Sequence, residues 1–241
     1  MIVMPMAGLS SRFFKAGYEQ PKYMLEAHGK SLFRHAVESF RQYFETETFL
    51  FIIRDVYGTA NFVRDELEQL GISAYKIHVL GEETRGQAET VYLALKEINS
   101  QESITIFNID TFRPGFTYPD NLEELDGYLE VFRGEGDNWS FIKLDESQPQ
   151  RVTKTTEKSP ISDLCCTGLY YFSNMSDFKE IYLEYASRPE SEWEKSELYV
   201  APLYNLLISR GAFVGYDLIA SEEVIFCGVP QEYLDFKTTG Q

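Results

Sequence analysis

The chain predicts an α/β protein built on a largely parallel sheet that becomes mixed in its second half, and three observations lead there. Apolar runs of strand length alternate with amphipathic stretches of helical period. At 241 residues the chain is long enough to bury one large core, which fits a single domain over residues 1–241. Its first apolar run ends directly in a glycine-containing turn, as a strand does when it delivers a loop to a ligand.

Residues 2–5, 49–53, 74–80 and 104–109 read as strands, being short apolar runs bounded by turn residues. Between them, residues 31–44, 57–70 and 87–99 read as helices. In the first of these Leu32, Phe33, Ala36, Val37 and Phe40 recur at helical spacing, so they belong to the core, and Ser31 is placed to cap the N-terminus. Strand, helix, strand in this order predicts parallel pairing through helical crossovers. The second half is less regular. Residues 139–144, 152–156 and 168–172 read as strands, 176–186 and 198–210 as helices, and 213–217 and 224–227 as closing strands. Residues 114–121, with two prolines and a glycine, read as a flexible loop near the site. There is no internal repeat, low-complexity tract or long linker.

The net charge of −16 argues against a nucleic-acid or anionic-membrane partner, since both call for basic surface. A phosphate substrate must then be met by a local basic pocket or by a divalent metal. Three cysteines, two of them adjacent at Cys165 and Cys166 and the third at Cys227, cannot all pair within one chain, so a reducing cytoplasm is expected. No thiolate zinc spacing is present, and His28, His35 and His78 show no metal-ligand spacing and suit packing or surface positions. No charged start leads into a long apolar stretch, so neither a signal peptide nor a transmembrane helix is expected.

The chemistry concentrates after the first strand. Met6-Ala7-Gly8-Leu9-Ser10-Ser11-Arg12 is followed by Pro21-Lys22. Gly8 has no Cβ to keep an anion away from the backbone, and Ser10 and Ser11 offer hydroxyl donors. Arg12 offers a planar fork of donors and Lys22 a mobile point charge. Together they suit a polyphosphate. A Walker loop is excluded, because no Gly-Lys-Ser/Thr follows at the required spacing, and the dinucleotide fingerprint lacks its second and third glycines.

With Lys22 included, residues 4–22 resemble the signature of the sugar nucleotidyltransferases, the NDP-sugar pyrophosphorylases, whose first strand ends in a glycine-rich turn, an arginine and a later Pro-Lys pair. Four further stretches resemble that family in the same order. Gly86-Gln87-Ala88-Glu89-Thr90 is similar to its base-recognition turn, and Asn108-Ile109-Asp110 to its metal-binding strand end. Glu157-Lys158 is similar to its sugar-phosphate segment, and Thr167-Gly168-Leu169-Tyr170-Tyr171-Phe172 to the strand that follows. The matches span most of the chain. The resemblance implies a Rossmann-like, GT-A type nucleotide-diphospho-sugar transferase fold, a mostly parallel mixed sheet flanked by helices. It implies a nucleotide site at Ala7, Gly8, Ser10, Ser11, Gln87 and Glu89, and an acceptor site at Glu157, Lys158 and Gly168. Polysaccharide biosynthesis is the setting it suggests, and it leaves room for a homo-oligomer.

Asp110, directly after an apolar strand, can project its carboxylate into the crevice, where Mg²⁺ would take it together with phosphate oxygens and waters; a strand-end Asp also initiates turns. The family usually has a second metal aspartate two residues before Gly-Thr-Pro. Here that segment reads Phe226-Cys227-Gly228-Val229-Pro230, with phenylalanine in the aspartate's place. Asp217 or Glu222 could substitute, or phosphates and water could complete the shell, which Mg²⁺ tolerates. Glu89 stands where thymidylyl members carry a glutamine that reads the pyrimidine edge. An ionised glutamate only accepts hydrogen bonds, which suits the amino group of cytosine or the adjacent N–H donors of guanine better than the O4 of thymine or uracil, and CTP is favoured of these. The same residue near a helix start is equally explained by the helix dipole and capping.

The implied reaction is attack by a phosphomonoester oxygen, from a sugar 1-phosphate or similar acceptor, on the α-phosphorus of a nucleoside triphosphate, with loss of pyrophosphate. Arg12, Lys22 and Asp110 are the expected catalytic groups, with Mg²⁺ on Asp110. Three alternatives stand beside it: a cytidylyltransferase with a non-sugar acceptor, a GT-A glycosyltransferase, and a non-catalytic nucleotide sensor, the last suggested by Phe226.

Overall fold

Strand Ile2–Pro5 pairs in parallel with Phe49–Ile53, which pairs in parallel with Tyr75–Val79. Residues 1–239 are described by the computed structural model, and they fall into two compact units, each drawn from separate stretches of chain. The first unit takes Ile2–Glu82, Phe107–Thr117 and the C-terminal stretch from Glu222. The second takes Met1, Glu83–Ile106 and Tyr118–Ser221.

In the first unit every residue of Phe49–Ile53 is buried, as expected of a parallel strand covered on both faces. Helix Leu32–Glu38 packs on it through Phe33, whose ring centre lies 5.3 Å from that of Phe51 and 5.7 Å from that of Phe62 in helix Thr59–Leu70. Ser31 caps the former through its side chain, which accepts from the Arg34 N–H at 3.0 Å. Leu32, Phe33, Ala36 and Val37 are buried as their spacing requires. This helix stops at Glu38, short of residue 44, and the chain continues as a 3₁₀ turn at Arg41–Tyr43. Gly71 ends the second helix at φ 74°, and the Ile72 N–H reaches back to the Leu67 carbonyl at 3.0 Å. A short antiparallel pair, Thr111–Phe112 with Ile225–Phe226, and the C-terminal helix Pro230–Thr238 complete the unit.

The second unit carries strands in the order Val152–Glu157, Ser140–Leu144, Leu164–Phe172, Ile104–Phe107, with Gly127–Arg133 antiparallel to Leu164–Phe172 and parallel to Val214–Ile219. The expected change from parallel to mixed pairing is present. Strand Gly127–Arg133 was not legible, because a glutamate, Glu130, sits in its middle at 1% exposure, where the Thr167 hydroxyl donates to it at 3.1 Å. Helix Leu203–Ser209 starts later than the spacing over 198–210 suggests, since Leu198 spends both its backbone groups on Arg85 and Ala88. Helices Gln87–Leu95 and Met175–Ala186 accompany it, the latter capped by the Asn174 side chain. No described helix is long and apolar enough to cross a membrane.

Candidate active site

In the first unit the loop after Ile2–Pro5 is held at one end by the Met6 N–H, which donates to the Ile52 carbonyl at 2.9 Å. A Cβ at Gly8 would stand in open space, so the backbone there is open to a ligand. Ser10 occupies the left-handed region at φ 51°, and its hydroxyl accepts the Lys22 backbone N–H at 3.2 Å, which ties the two ends of the loop together. The short helix Ser11–Lys15 follows, anchored by buried Phe13, whose ring packs on Tyr18 and Tyr233. Arg12 is exposed beside this anchor, and among the described residues its guanidinium has no ion-pair partner.

Lys22 extends from the far end of the loop and places its Nζ 2.5 Å from Asp110 Oδ2. Strand Ile104–Phe107 ends before Asn108, so Asp110 lies in the turn that follows, and its carbonyl accepts the Cys227 N–H at 2.8 Å. A Cβ at Gly228 would come within 3.1 Å of Asp110 Oδ2 and 3.6 Å of Glu232 Oε2, so the glycine keeps the aspartate's oxygen uncrowded. Glu232 Oε2 accepts the N–H groups of Gly228 and Val229 at 2.8 and 3.1 Å, which satisfies backbone donors at the start of the C-terminal helix. Between these carboxylates the Cys227 thiol is buried and pushed up to about 12, by burial first, then by Glu232 and Asp110, with Lys22 opposing.

Phe226 pairs with Thr111 in the short strand pair. Asp217 and Glu222 are both exposed, and among the described residues no group of three or more His, Cys, Asp or Glu side chains is arranged to hold a metal. The donor set at Asp110 is a hard carboxylate oxygen with space beside it at Gly228, which fits a hard divalent cation that takes the rest of its shell from phosphate and water.

In the second unit Gly86 has φ 150°, and a Cβ there would overlap the Leu198 backbone at 2.5 Å, so only glycine permits this approach. Gln87 and Ala88 open the helix behind it. Glu89 is engaged on both oxygens: its Oε2 takes the Arg85 N–H at 2.6 Å, and its Oε1 takes Arg85 Nε at 2.8 Å, Arg85 Nη2 at 2.5 Å and the Tyr182 hydroxyl at 3.2 Å. Three of these donors crowd Oε1, while Oε2 holds the Arg85 N–H and keeps one lone-pair site. Burial works to raise its pKa, but the Arg85 hydrogen bonds prevail and hold it below the usual glutamate range. The Arg85 guanidinium in turn lies 5.3 Å over the Trp193 ring.

Elsewhere in that unit Glu157 is buried and Lys158 half-buried at the end of strand Val152–Glu157. Ser140 donates to Glu157 Oε2 and lies 3.1 Å from the Tyr170 hydroxyl. Burial pushes the Glu157 carboxyl upward, against the Ser140 hydrogen bond and the charge of Lys158. Lys158 donates to the Tyr199 hydroxyl and sits 4.3 Å from that ring's centroid. Gly168 has φ 97° where the register between Leu164–Phe172 and Gly127–Arg133 shifts, a bulge that re-aims the side chains around it.

Thus Lys22 meets both Ser10 and Asp110, and Glu157 and Lys158 are neighbours as their adjacency requires. Residues that sequence reasoning passed over are Arg85, Ser140, Tyr199 and Glu232. Arg85 was detectable as the i, i+4 partner of Glu89, and Glu232 as the third helical residue after Val229 with Pro230 at the first. Ser140 and Tyr199 carry no local signal.

A nucleoside-diphosphate-sugar pyrophosphorylase from Vibrio cholerae RC9 has a structure similar to this chain at TM-score 0.95 and 60% identity, covering 99% of this chain and 100% of that one. At 14% identity, which speaks to the fold alone, similar structures include two others. One is an inositol-1-phosphate CTP transferase from T. maritima, with TM-score 0.72, covering 96% of this chain and 90% of that one. The other is a UDP-glucose pyrophosphorylase complexed with UDP-glucose, with TM-score 0.75, covering 98% and 96%. These establish the Rossmann-like nucleotidyltransferase fold. No protein-family model and no curated protein matches the chain.

Proposed function

The chain belongs to the nucleoside-diphosphate-sugar pyrophosphorylase family, and from that premise we propose that it is a nucleotidyltransferase that moves the NMP group of a nucleoside triphosphate to a sugar 1-phosphate or similar phosphomonoester, releasing pyrophosphate. The observation that supports this reading best is the Lys22–Asp110 pair at the Gly8–Arg12 loop, a cation and a carboxylate held together in the turns that follow the strands, where a triphosphate would be gripped. The relatives are pyrophosphorylases and nucleotidyltransferases, so a donor-sugar transferase is not favoured.

The reaction needs no protein nucleophile. An acceptor phosphate oxygen forms a bond to the α-phosphorus as the bond from that phosphorus to the bridging oxygen breaks, and the electron pair leaves with pyrophosphate. Arg12, exposed and without an ion-pair partner among the described residues, neutralises the departing phosphates. Lys22 turns from Asp110 toward the charge that grows on the α-phosphoryl oxygens. Lys158 orients the acceptor's phosphate. Ala7, Gly8, Ser10 and Ser11 supply backbone and hydroxyl donors to the triphosphate, and Glu157 and Gly168 border the acceptor. Asp110 would hold Mg²⁺, which when bound neutralises phosphate charge.

Arg85 holds both oxygens of Glu89 and Tyr182 adds to Oε1, so the carboxylate is committed to its own turn and the case for CTP is weakened. Glu89 serves instead to fix the Gly86-Gln87 turn, and base selection falls to Gln87 and the turn's backbone. The test is pyrophosphate release with Mg²⁺, scanning the four ribonucleoside triphosphates and dTTP against glucose 1-phosphate, other sugar 1-phosphates, inositol 1-phosphate and phosphocholine. Release that requires one triphosphate and one acceptor supports the reading, and no release with any pair contradicts it.

A further inference from the structure

The Lys158 ammonium is held, and what holds it is a phenol. Lys158 donates to the Tyr199 hydroxyl, lies 4.3 Å from the centre of its ring, and stands 3.9 Å from Glu157 Oε1. Its backbone adopts φ 50°, a left-handed conformation that a lysine keeps only where its surroundings fix it, and its N–H donates to the Trp139 carbonyl at 2.8 Å. The side chain nonetheless keeps 34% of its surface exposed, so it is fixed and still reachable by an anion.

Tyr199 is itself placed by its neighbour. The Leu198 N–H donates to the Arg85 carbonyl at 2.9 Å, and the Leu198 carbonyl accepts the Ala88 N–H at 2.8 Å. These two bonds flank Gly86, whose missing Cβ allows the two backbones to approach so closely. The position of Tyr199 therefore follows that of the Gly86-Gln87 turn.

We propose that Tyr199 is a positioning residue, which aims the Lys158 ammonium at the acceptor's phosphate and takes its own place from the Gly86 turn. A neutral phenol suits this role for a physical reason. An ammonium has three donors, and Tyr199 takes one of them through its hydroxyl while its ring attracts the charge. It orients the lysine without cancelling its charge, as a carboxylate in direct contact would, and leaves donors for phosphate oxygens. The inference rests on the nucleotidyl transfer proposed above.

The experiment compares Tyr199→Phe with the unaltered protein in pyrophosphate release, using whichever phosphomonoester of the panel drives release by the unaltered protein. Phenylalanine keeps the ring and the packing and removes only the hydroxyl. The expected result is a KM for that phosphomonoester raised roughly tenfold, with the triphosphate KM and the Tm unchanged. In a Lys158→Ala background the same substitution adds nothing, because the hydroxyl acts through that lysine. An unchanged acceptor KM, or an equal effect in the Lys158→Ala background, overturns the role of Tyr199 and leaves nucleotidyl transfer standing. Absence of release by the unaltered protein with every phosphomonoester overturns the proposed reaction, and the role of Tyr199 with it.

Discussion

Lys22 Nζ lies 2.5 Å from Asp110 Oδ2, an ion pair between residues 88 positions apart. Both side chains are about four-fifths buried, at 21% and 23% exposure. The proposed function assigns this cation to the triphosphate and this carboxylate to the metal, and on that reading each keeps the other ordered until phosphates arrive to compete.

On the proposed function, Lys22→Ala removes a cation that acts on charge developed in the transition state. Turnover is expected to fall by roughly 10²-fold or more, while the triphosphate KM changes little. Steady-state pyrophosphate release checks this. A variant that keeps its turnover number and changes only its affinity contradicts the assigned role.

Asp110→Asn keeps the shape of the side chain and removes its charge. Affinity for Mn²⁺, a spectroscopic substitute for Mg²⁺, is expected to fall roughly tenfold or more, read by water-proton relaxation without any turnover. Asp217→Asn and Glu222→Gln, both at exposed positions, should leave Mn²⁺ binding as it was.

Glu89→Gln separates turn-pinning from base reading. With four donors on its carboxylate, the substitution should cost about 1–2 kcal/mol of unfolding free energy and weaken every triphosphate alike. Relative base preference stays the same. A changed preference at equal stability would return the base to Glu89.

Glu157 gives a pH dependence of stability. Burial, the largest influence, raises its pKa in the fold, so the folded protein holds the proton more tightly than the unfolded chain. Stability is therefore lost as pH rises from the ordinary carboxylate range toward the raised value. Glu157→Gln removes this penalty, and its stability relative to the unaltered protein should improve from about pH 4 to about pH 7, by urea denaturation at each pH. A constant difference between the two proteins contradicts the assignment.

What the sequence disclosed follows from where its information is local. The parallel strands Ile2–Pro5 and Phe49–Ile53 are uninterrupted apolar runs, and the Ser31 cap lies one residue before its helix, so both were legible. Ser10, Arg12 and Lys22 share one short stretch of chain, and the order of the later motifs located Asp110, Glu89 and Lys158. Strand Gly127–Arg133 was hidden because a buried glutamate interrupts its apolar pattern, and its hydrogen-bond partner Thr167 lies far along the chain. Residues 198–202 read as helix because nothing nearby reveals that Leu198 pairs with Arg85 and Ala88. The Lys158–Tyr199 contact was beyond reach for the same reason, since residues 41 apart meet only once both strand and turn are folded.

The fate of the α-phosphorus tests the central claim most directly. With the triphosphate labelled by ³²P at the α position and the acceptor identified in the release panel, nucleotidyl transfer predicts that the label appears in a nucleoside-diphosphate ester of the acceptor. Equimolar unlabelled pyrophosphate should accompany it, and neither product should form without acceptor. Label found in free NMP, or pyrophosphate formed at the same rate without acceptor, would contradict the account.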